Sequence, residues 1–306
     1  MLIGFAVNSD PVVARKNFST AALVVHATIA LGFLVGGSPV LGQDAVDKGV
    51  SWPHLTGYAE VAVADKYIYH GYIVQDKGPV VQPYVEIFGE FYRGEAPLTS
   101  ASLRLSIFNS FQVHDESAPT KAEPLRSWYE TQIEPGLELI FAKHLTLIMS
   151  YRRFESPNAA YSASNSFELR ASFDDESLLG RWAIHPHVAW SAAFDNGSAD
   201  GERGNYFEAG IAPQTIIGNE WRYPITATVP INIGLGDQRY YFGSHFGFFS
   251  AGVKMTVPLA FLPPSFGRWR AGGSAELYYL GSAPANFTNG GDRLTNLVTG
   301  IVSTEF

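Results

Sequence analysis

The chain has 306 residues, of which 46% are hydrophobic, 14% aromatic and 16% charged, with a formal net charge of −8 and no cysteine. The apolar content excludes an intrinsically disordered chain, and the lack of cysteine excludes disulfides, cysteine-ligated metals and a cysteine nucleophile. The acidic balance argues against a nucleic-acid partner, because phosphates attract clustered Lys and Arg side chains.

The first 42 residues have the features of an export signal. Arg15 and Lys16 form a basic region, and an apolar run follows at 21–35, ahead of a cleavage site before Gln43. A membrane anchor is the alternative, but the run is shorter than the about 20 apolar residues that a spanning helix needs. The sequence therefore predicts a signal peptide at 1–42 and a mature domain at 43–306.

The segment 128–141 shows how the mature chain is patterned. Glu130, Gln132, Glu134 and Glu138 share one parity, and most of the side chains of the other parity are apolar. This alternation is typical of a strand with one polar and one apolar face. Strands of soluble proteins are usually about 5–6 residues long, whereas a tilted membrane-crossing strand needs about 9–11, which matches the segments seen here.

Twelve such segments predict an all-β fold, a transmembrane antiparallel up-and-down β-barrel in the outer membrane of a Gram-negative bacterium. An even number of strands returns both termini to the periplasmic side, and the longer polar connectors after odd-numbered strands are assigned to the exterior. The apolar connector 259–265 is an exception that the pattern does not explain. The predicted strands are 55–72, 81–92, 100–112, 128–141, 144–154, 165–174, 181–195, 204–213, 222–234, 246–258, 268–280 and 295–306.

Aromatic side chains of the outward parity near strand ends predict contact with outer-membrane lipid, because Trp and Tyr favour the headgroup level. The alternative is a soluble periplasmic β-sandwich with these rings in its core. The aromatic residues in question are Tyr67, Tyr69, Tyr129, Tyr151, Trp182, Trp269 and Tyr279.

The last residue, Phe306, resembles the terminal aromatic residue that the barrel-assembly machinery reads in bacterial outer-membrane barrels. Phe306 shares its parity with Val298 and Val302, two apolar positions of the last predicted strand. The resemblance implies that Phe306 is an assembly signal and that the assembly machinery is a partner.

Residues 64–83 resemble the opening of the TorF-type porin family. In that family the first strand ends in Tyr-x-aromatic-Arg-Gly, ahead of an acidic loop and a second strand containing Pro and Gln. Tyr67 to Gly71 match this pattern, except that His70 replaces the arginine, and Asp76, Pro79 and Gln82 fall at the corresponding places. The resemblance implies an outer-membrane barrel with a passive-transport role.

The inward parity predicts the lining of a pore. Carboxylates there outnumber cations ten to six, which favours a channel for small hydrophilic solutes with a mild preference for cations. The carboxylates are Glu60, Glu86, Glu90, Glu130, Glu134, Glu138, Glu168, Glu208, Glu276 and Glu305. The cations are Lys66, Arg104, Arg152, Arg170, Lys254 and Arg270. Gln132, His185 and His187 complete the predicted pore-lining set.

Two alternatives to an open channel follow from the same pattern. Opposite charges on neighbouring strands could pair and fill the interior, because twelve strands lie between the eight of a filled barrel and the sixteen or more of an aqueous channel. Such a closed barrel would bind ligands or surfaces through external loops such as 113–127 and 281–294.

Catalytic and metal sites have little support in the sequence. Outer-membrane phospholipases place His and Ser two residues apart on one strand face, whereas Ser244 and His245 are adjacent and lie on opposite faces. His185 and His187 would share a strand face about 6.5–7 Å apart, but a solvated pair is the simpler interpretation. We therefore predict no enzyme activity, no cofactor and no metal.

Overall fold

The computed structural model describes residues 54–113, 125–194 and 204–306, so the predicted signal peptide lies outside the described residues. The fold is dominated by antiparallel strands, with two short α-helices, α1 (Glu176–Leu179) and α2 (Ser282–Thr288), in connectors. The strands are β1 (His54–Ala64), β2 (Tyr67–Tyr69), β3 (Tyr72–Gln75), β4 (Val80–Arg93), β5 (Leu98–Gln112), β6 (Trp128–Phe141), β7 (Leu145–Glu155), β8 (Ser164–Phe173), β9 (His187–Ala193), β10 (Asn205–Ile211), β11 (Gln214–Ile217), β12 (Ile225–Thr228), β13 (Ile231–Gly236), β14 (Phe246–Pro258), β15 (Arg268–Leu280) and β16 (Leu294–Glu305).

The strands form a closed barrel of twelve, as the sequence predicts. Each wall strand pairs with the wall strands that precede and follow it in the chain. The strand β1 closes the ring by pairing antiparallel with β16, with Val61 opposite Val302. Phe306 completes this seam, because its N–H donates to the carbonyl of Gly57 at 3.0 Å and its carbonyl accepts from the N–H of Gly57 at 2.8 Å. Closure leaves no seam of unpaired backbone between the first and last strands.

Two of the twelve wall strands are each interrupted by a proline. One consists of β10 and β11, separated by Pro213, and the next consists of β12 and β13, separated by Pro230. Proline has no N–H to donate to the ladder, so regular pairing stops there. The N–H of Val229 donates to the carbonyl of Pro213 at 2.9 Å, which keeps the two strands together across the break.

The two faces of the wall differ in chemistry. On β5, Leu103 and Leu105 are exposed on the outside, whereas Arg104 and Ser106 between them are buried inside. Within the described strands, charged side chains of the outward parity lie only near strand ends, at Arg93, Arg153 and Glu155. An apolar outer face without charges is the surface that hydrocarbon requires. No helix in the described ranges has the length and apolarity to cross a membrane.

Several of the predicted strand boundaries are wrong. The first wall strand ends at Ala64 and not at 72, because the chain turns away from the wall at Asp65. The seventh begins at His187 and not at 181, because α1 and a 3-10 helix at Gly180–Trp182 precede it. The ninth, predicted at 222–234, begins at Ile225 and ends at Gly236.

Candidate functional site in the barrel lumen

A hairpin formed by β2 and β3 lies inside the barrel. It forms its own two-stranded sheet, separate from the wall, with a turn at His70 and Gly71. Both turn residues have positive φ, 49° at His70 and 87° at Gly71. A glycine suits the second position, because a Cβ there would meet the carbonyl of Gly247 and the ring of Phe248 at 3.1 Å.

The hairpin crosses the lumen from one wall to the other. Near its base, the Tyr67 hydroxyl donates to Glu130 of β6 at 2.8 Å, and the Tyr67 ring lies 6.1 Å from that of Phe108 on β5. At its tip, the His70 imidazole stacks on Tyr206 of β10, with ring centroids 3.6 Å apart. Since β6 and β10 are four wall strands apart in a barrel of twelve, the hairpin spans the interior.

Two further connectors close over the hairpin. The segment 237–245 contributes Tyr240 and Tyr241, both fully buried, and Tyr241 donates its hydroxyl to the His70 carbonyl at 2.9 Å. The helix α2 contributes Thr288, whose hydroxyl oxygen accepts from the N–H of Ile73 at 2.9 Å. The hairpin is thus held by aromatic packing and neutral hydrogen bonds as well as by its contact with Glu130.

A cavity of about 290 Å³ lies in the lumen against the hairpin. Its lining comes from β1, β4 to β10 and β16 together with the hairpin, so it occupies the interior of the barrel. Charged groups of both signs face it, namely Lys66, Glu134, Arg152, Glu168, Arg170 and Glu208.

Ion pairs cross the inner face from β4 to β8. Glu168 pairs with Arg152 and with Arg170, each at 3.0 Å, so one carboxylate bridges two guanidinium groups. Arg104 donates from Nε to Glu86 at 2.6 Å and from Nη1 to Glu134 at 3.2 Å, so one guanidinium bridges two carboxylates. Because these charges neutralise each other in part, the field in this half of the lumen is weaker than the number of charges suggests.

Glu130 is the most deeply buried carboxylate of the predicted set. Besides the Tyr67 hydroxyl, it accepts hydrogen bonds from the Tyr161 hydroxyl at 3.0 Å and from the Gln132 amide at 2.5 Å. Tyr161 belongs to the connector 156–163, and Tyr67 belongs to the hairpin. Glu130 therefore ties two connectors to the wall.

The remaining predicted residues lie apart from these networks. Glu208 accepts from the Tyr206 hydroxyl at 2.5 Å, and Glu276 accepts from the Tyr278 hydroxyl at 3.3 Å. Glu138 is partly buried and lies further along β6, towards the short connectors. All three share the inward parity of their strands.

The two histidines do not share a strand face. His187 lies on β9 and its Nε2 is 3.0 Å from Asn232 Oδ1. His185 lies in the connector before β9, with a φ of 46°, and its Nδ1 is 3.7 Å from the carboxylate of Asp175. The prediction of a shared strand face was wrong because Pro186 and the preceding helical turns delay the start of the strand.

The prediction that Tyr67 and Tyr69 belong to the lipid-facing belt is wrong. Both lie in the hairpin within the lumen, where Tyr69 stacks on His70 with centroids 3.9 Å apart. In the sequence, His70 stands out only as a departure from a family pattern. Burial lowers the pKa of His70 well below its ordinary value, and the guanidinium groups of Arg152 and Arg170 lower it further, so the ring is neutral at pH 7.

A closed twelve-stranded barrel with a charge-free apolar belt and a polar interior is an outer-membrane β-barrel, and its place is the bacterial outer membrane. No family model matches the chain, and no curated protein matches it.

Three solved structures illustrate the range of similar barrels. An outer-membrane channel from Pseudomonas putida F1 has 8% identity and a TM-score of 0.45, over 87% of this chain and 100% of that one. The NanC porin has 10% identity and a TM-score of 0.37, over 80% of this chain and 98% of that one. Outer membrane phospholipase A from Escherichia coli has 13% identity and a TM-score of 0.37, over 82% of this chain and 92% of that one. Likenesses this distant do not assign an activity.

Proposed function

We propose that the protein is a porin-like channel for passive diffusion of small hydrophilic solutes, with a mild preference for cations and a lumen narrowed by the hairpin β2–β3. The observation that carries this proposal is the cavity inside the barrel, which charged and tyrosine side chains line. A polar, charged interior is costly unless its groups pair with one another or water and solutes reach it, and the cavity gives water and solutes access to this one. The transport step involves no chemistry, only steric and electrostatic filtering.

The cation preference is supported by the excess of carboxylates over cations on the inward parity, ten to six. Arg104, Arg152 and Arg170 pair with Glu86, Glu134 and Glu168, so these charges largely cancel, whereas Arg270 donates to Thr226 and Thr256. The excess of carboxylates therefore comes from the groups outside these pairs. Glu138, Glu208 and Glu276 are the carboxylates we expect to act on a passing ion. Fixed charge of one sign raises the local concentration of the opposite ion.

A second candidate is a barrel that does not conduct and acts through its external loops as a ligand-binding or adhesion protein. The observation that favours it is the hairpin itself, which crosses the lumen and is buried under Tyr240 and Tyr241. Kinship with TorF-type porins is a further proposal, supported only by residues 64–83.

The experiment that tests the channel proposal is single-channel recording of the purified, folded protein in a planar bilayer under a salt gradient. We expect discrete conductance steps with a reversal potential displaced towards the equilibrium potential of the cation. Steps whose reversal potential is displaced towards the equilibrium potential of the anion would contradict the proposed preference for cations. A folded barrel that shows no steps would favour the second candidate.

A further inference from the structure

Three connectors at the short-connector end of the barrel expose large apolar side chains. They are 174–186, 218–224 and 259–267, and we call them together the connector shelf. Leu178 and Trp182 are each 71% exposed, Phe261 is 68% exposed, and Trp221 and Phe266 are each 58% exposed. Large apolar side chains exposed together at one end of a barrel point to contact with a partner or a membrane.

The shelf occupies one side of the rim. Its connectors join β8 to β9, β11 to β12 and β14 to β15, which belong to six consecutive wall strands. The other two connectors at this end, 94–97 and 142–144, contain Glu95, Lys143 and His144 and no large aliphatic or aromatic side chain. The apolar character is therefore specific to one half of the circumference.

Local structure holds the shelf in place. The Asp175 carboxylate accepts from the N–H of Ile184 at 3.0 Å and of His185 at 2.9 Å, which folds the α1 connector back on itself. Burial alone would raise the pKa of Asp175, but these N–H donors more than offset it and bring the pKa below its ordinary value. The Trp269 indole, on the outward parity of β15, donates to the carbonyl of Phe266 at 2.8 Å. The apolar side chains are therefore displayed by ordered turns.

The course of β11 fixes the level of the shelf relative to the hydrocarbon. β9 begins at His187, opposite Gly210, so β11 extends beyond it and, among the strands that the structure describes, pairs only with β12. All four residues of β11 are exposed. Unpaired strand edges do not occur in the hydrocarbon region, so the hydrocarbon must end before β11. The connector 218–224 follows β11 and therefore lies outside the hydrocarbon, on the headgroup side.

The chemistry of the shelf matches that of a phospholipid headgroup layer. Arg181 lies 5.0 Å from the ring of Trp182, and Arg222 lies 5.3 Å from that of Tyr223, so each guanidinium sits beside an aromatic ring. Tryptophan and tyrosine prefer the interface, and arginine heads reach phosphates from there. The shelf is also continuous with the lipid-facing wall through Trp269.

We propose that the connector shelf binds the periplasmic phospholipid leaflet, with its apolar side chains inserted among the headgroups and with Arg181 and Arg222 at lipid phosphates. The apolar connector 259–265, which the strand pattern leaves unexplained, is then one third of a membrane-contacting surface. Because the shelf covers half of the rim, the leaflet meets the barrel unevenly around its circumference. This inference does not depend on whether the lumen conducts.

The lack of cysteine in the chain makes a depth measurement straightforward. Nitroxide labels are attached to Leu178→Cys and Phe261→Cys, and to Glu95→Cys and Lys143→Cys as controls at the same end of the barrel. The folded proteins are placed in vesicles of phosphatidylcholine and phosphatidylglycerol. We expect labels at 178 and 261 to be several-fold less accessible to a water-soluble nickel complex than the controls, and more accessible to oxygen.

Equal nickel accessibility at all four positions would overturn the proposal. Spin–spin broadening that grows with protein density at 178 and 261 would also overturn it, in favour of a second copy of the chain.

The double substitution Arg181→Gln and Arg222→Gln tests the phosphate contacts, and we expect it to raise the nickel accessibility of the labels at 178 and 261. Lys143→Gln is the matched control and should leave the nickel accessibility of both labels unchanged. Loss of shielding with Lys143→Gln as well would contradict a specific role for the two arginines.

Discussion

The imidazole of His70 stacks on the ring of Tyr206 with centroids 3.6 Å apart and planes 11° apart. His70 belongs to a connector and Tyr206 to the wall, so this contact fixes the tip of an inward hairpin against the far side of the barrel. On the other side of the imidazole lies Tyr69, and Tyr240 forms a hydrogen bond with Nδ1. The tip of the hairpin is thus held by one neutral ring stacked between two others.

Removing the His70 ring should loosen the hairpin. His70→Ala deletes two stacking contacts, each worth about 0.5–1.5 kcal/mol. We expect faster hydrogen exchange at the amides of 67–75, with the wall strands unchanged. His54→Ala, at the exposed start of β1, is the control and should have no effect on the hairpin. Unchanged exchange at 67–75 in His70→Ala would show that the stack does not hold the hairpin.

Acid should weaken the docking of the hairpin. The pKa of His70 is depressed in the docked state from an ordinary value of 6.5, so the undocked hairpin binds the extra proton first. Docking is therefore fully stable above about pH 6.5 and weakens as the pH falls towards the depressed pKa.

Hydrogen exchange at 67–75, corrected for intrinsic rates, measures this effect between pH 7.5 and 4.5. Arg152 and Arg170 oppose protonation, whereas the stacked rings of Tyr69 and Tyr206 would favour a cation only weakly. His70→Phe keeps a ring without the titration and should remove the pH dependence. A wild-type protein with equal protection at both pH values would contradict the prediction.

Neutralising Glu130 should destabilise the docking of the hairpin by weakening its hydrogen bonds to the wall. The carboxylate accepts from Tyr67, Tyr161 and Gln132, and Glu130→Gln replaces one acceptor oxygen by a donor amide inside a buried site. We expect a loss of about 1–3 kcal/mol, seen as a lower temperature for loss of heat-modifiable mobility on gels. Glu220→Gln, in an exposed connector, should leave that temperature unchanged.

Charge reversal at Glu134 should alter ion selectivity. Glu134→Lys removes one inward carboxylate, places a cation beside Arg104 and leaves that guanidinium with Glu86. We expect a reversal potential shifted away from the cation value and normal assembly. Glu95→Lys, in a connector outside the lumen, makes the same charge change as a control. An equal shift in both variants would exclude Glu134 as a pore-lining group.

Deleting Phe306 should lower the yield of folded barrel. The residue pairs with Gly57 across the closing seam, and its ring fills the space where a Gly57 side chain would lie. Phe91→Ala, which removes an exposed ring from the outer face of β4, is the control for general loss of apolar surface. Equal amounts of heat-modifiable barrel in wild type and deletion would contradict the assembly role.

The barrel wall could be predicted from the sequence because the physical cause of its pattern acts at every strand. Lipid on one side and polar contacts on the other impose a period of two, as at Leu103, Arg104 and Leu105. The hairpin could not be predicted in this way, since its strands alternate with the same period and continue from β1 after two residues. Only the turn at His70 and Gly71 distinguishes it, and a single Gly after an aromatic run is a weak signal.

The ion pairs were only partly predictable. Parity identifies Glu168 and Arg170 as facing inwards, but their contact with each other and with Arg152 depends on register between strands, which one sequence does not contain. The position of His185 depended on where β9 begins, and strand boundaries are the least determined part of a pattern.

A polar channel narrowed by an inward hairpin should widen when the hairpin is removed, so single-channel conductance is recorded for the wild type and for a variant in which 67–75 is replaced by a Gly-Ser linker. Both proteins must first show the heat-modifiable mobility of a folded barrel. We expect a larger conductance in the variant, and in both proteins a reversal potential on the cation side. Identical conductance in the two proteins, or no conductance in the variant, would contradict it.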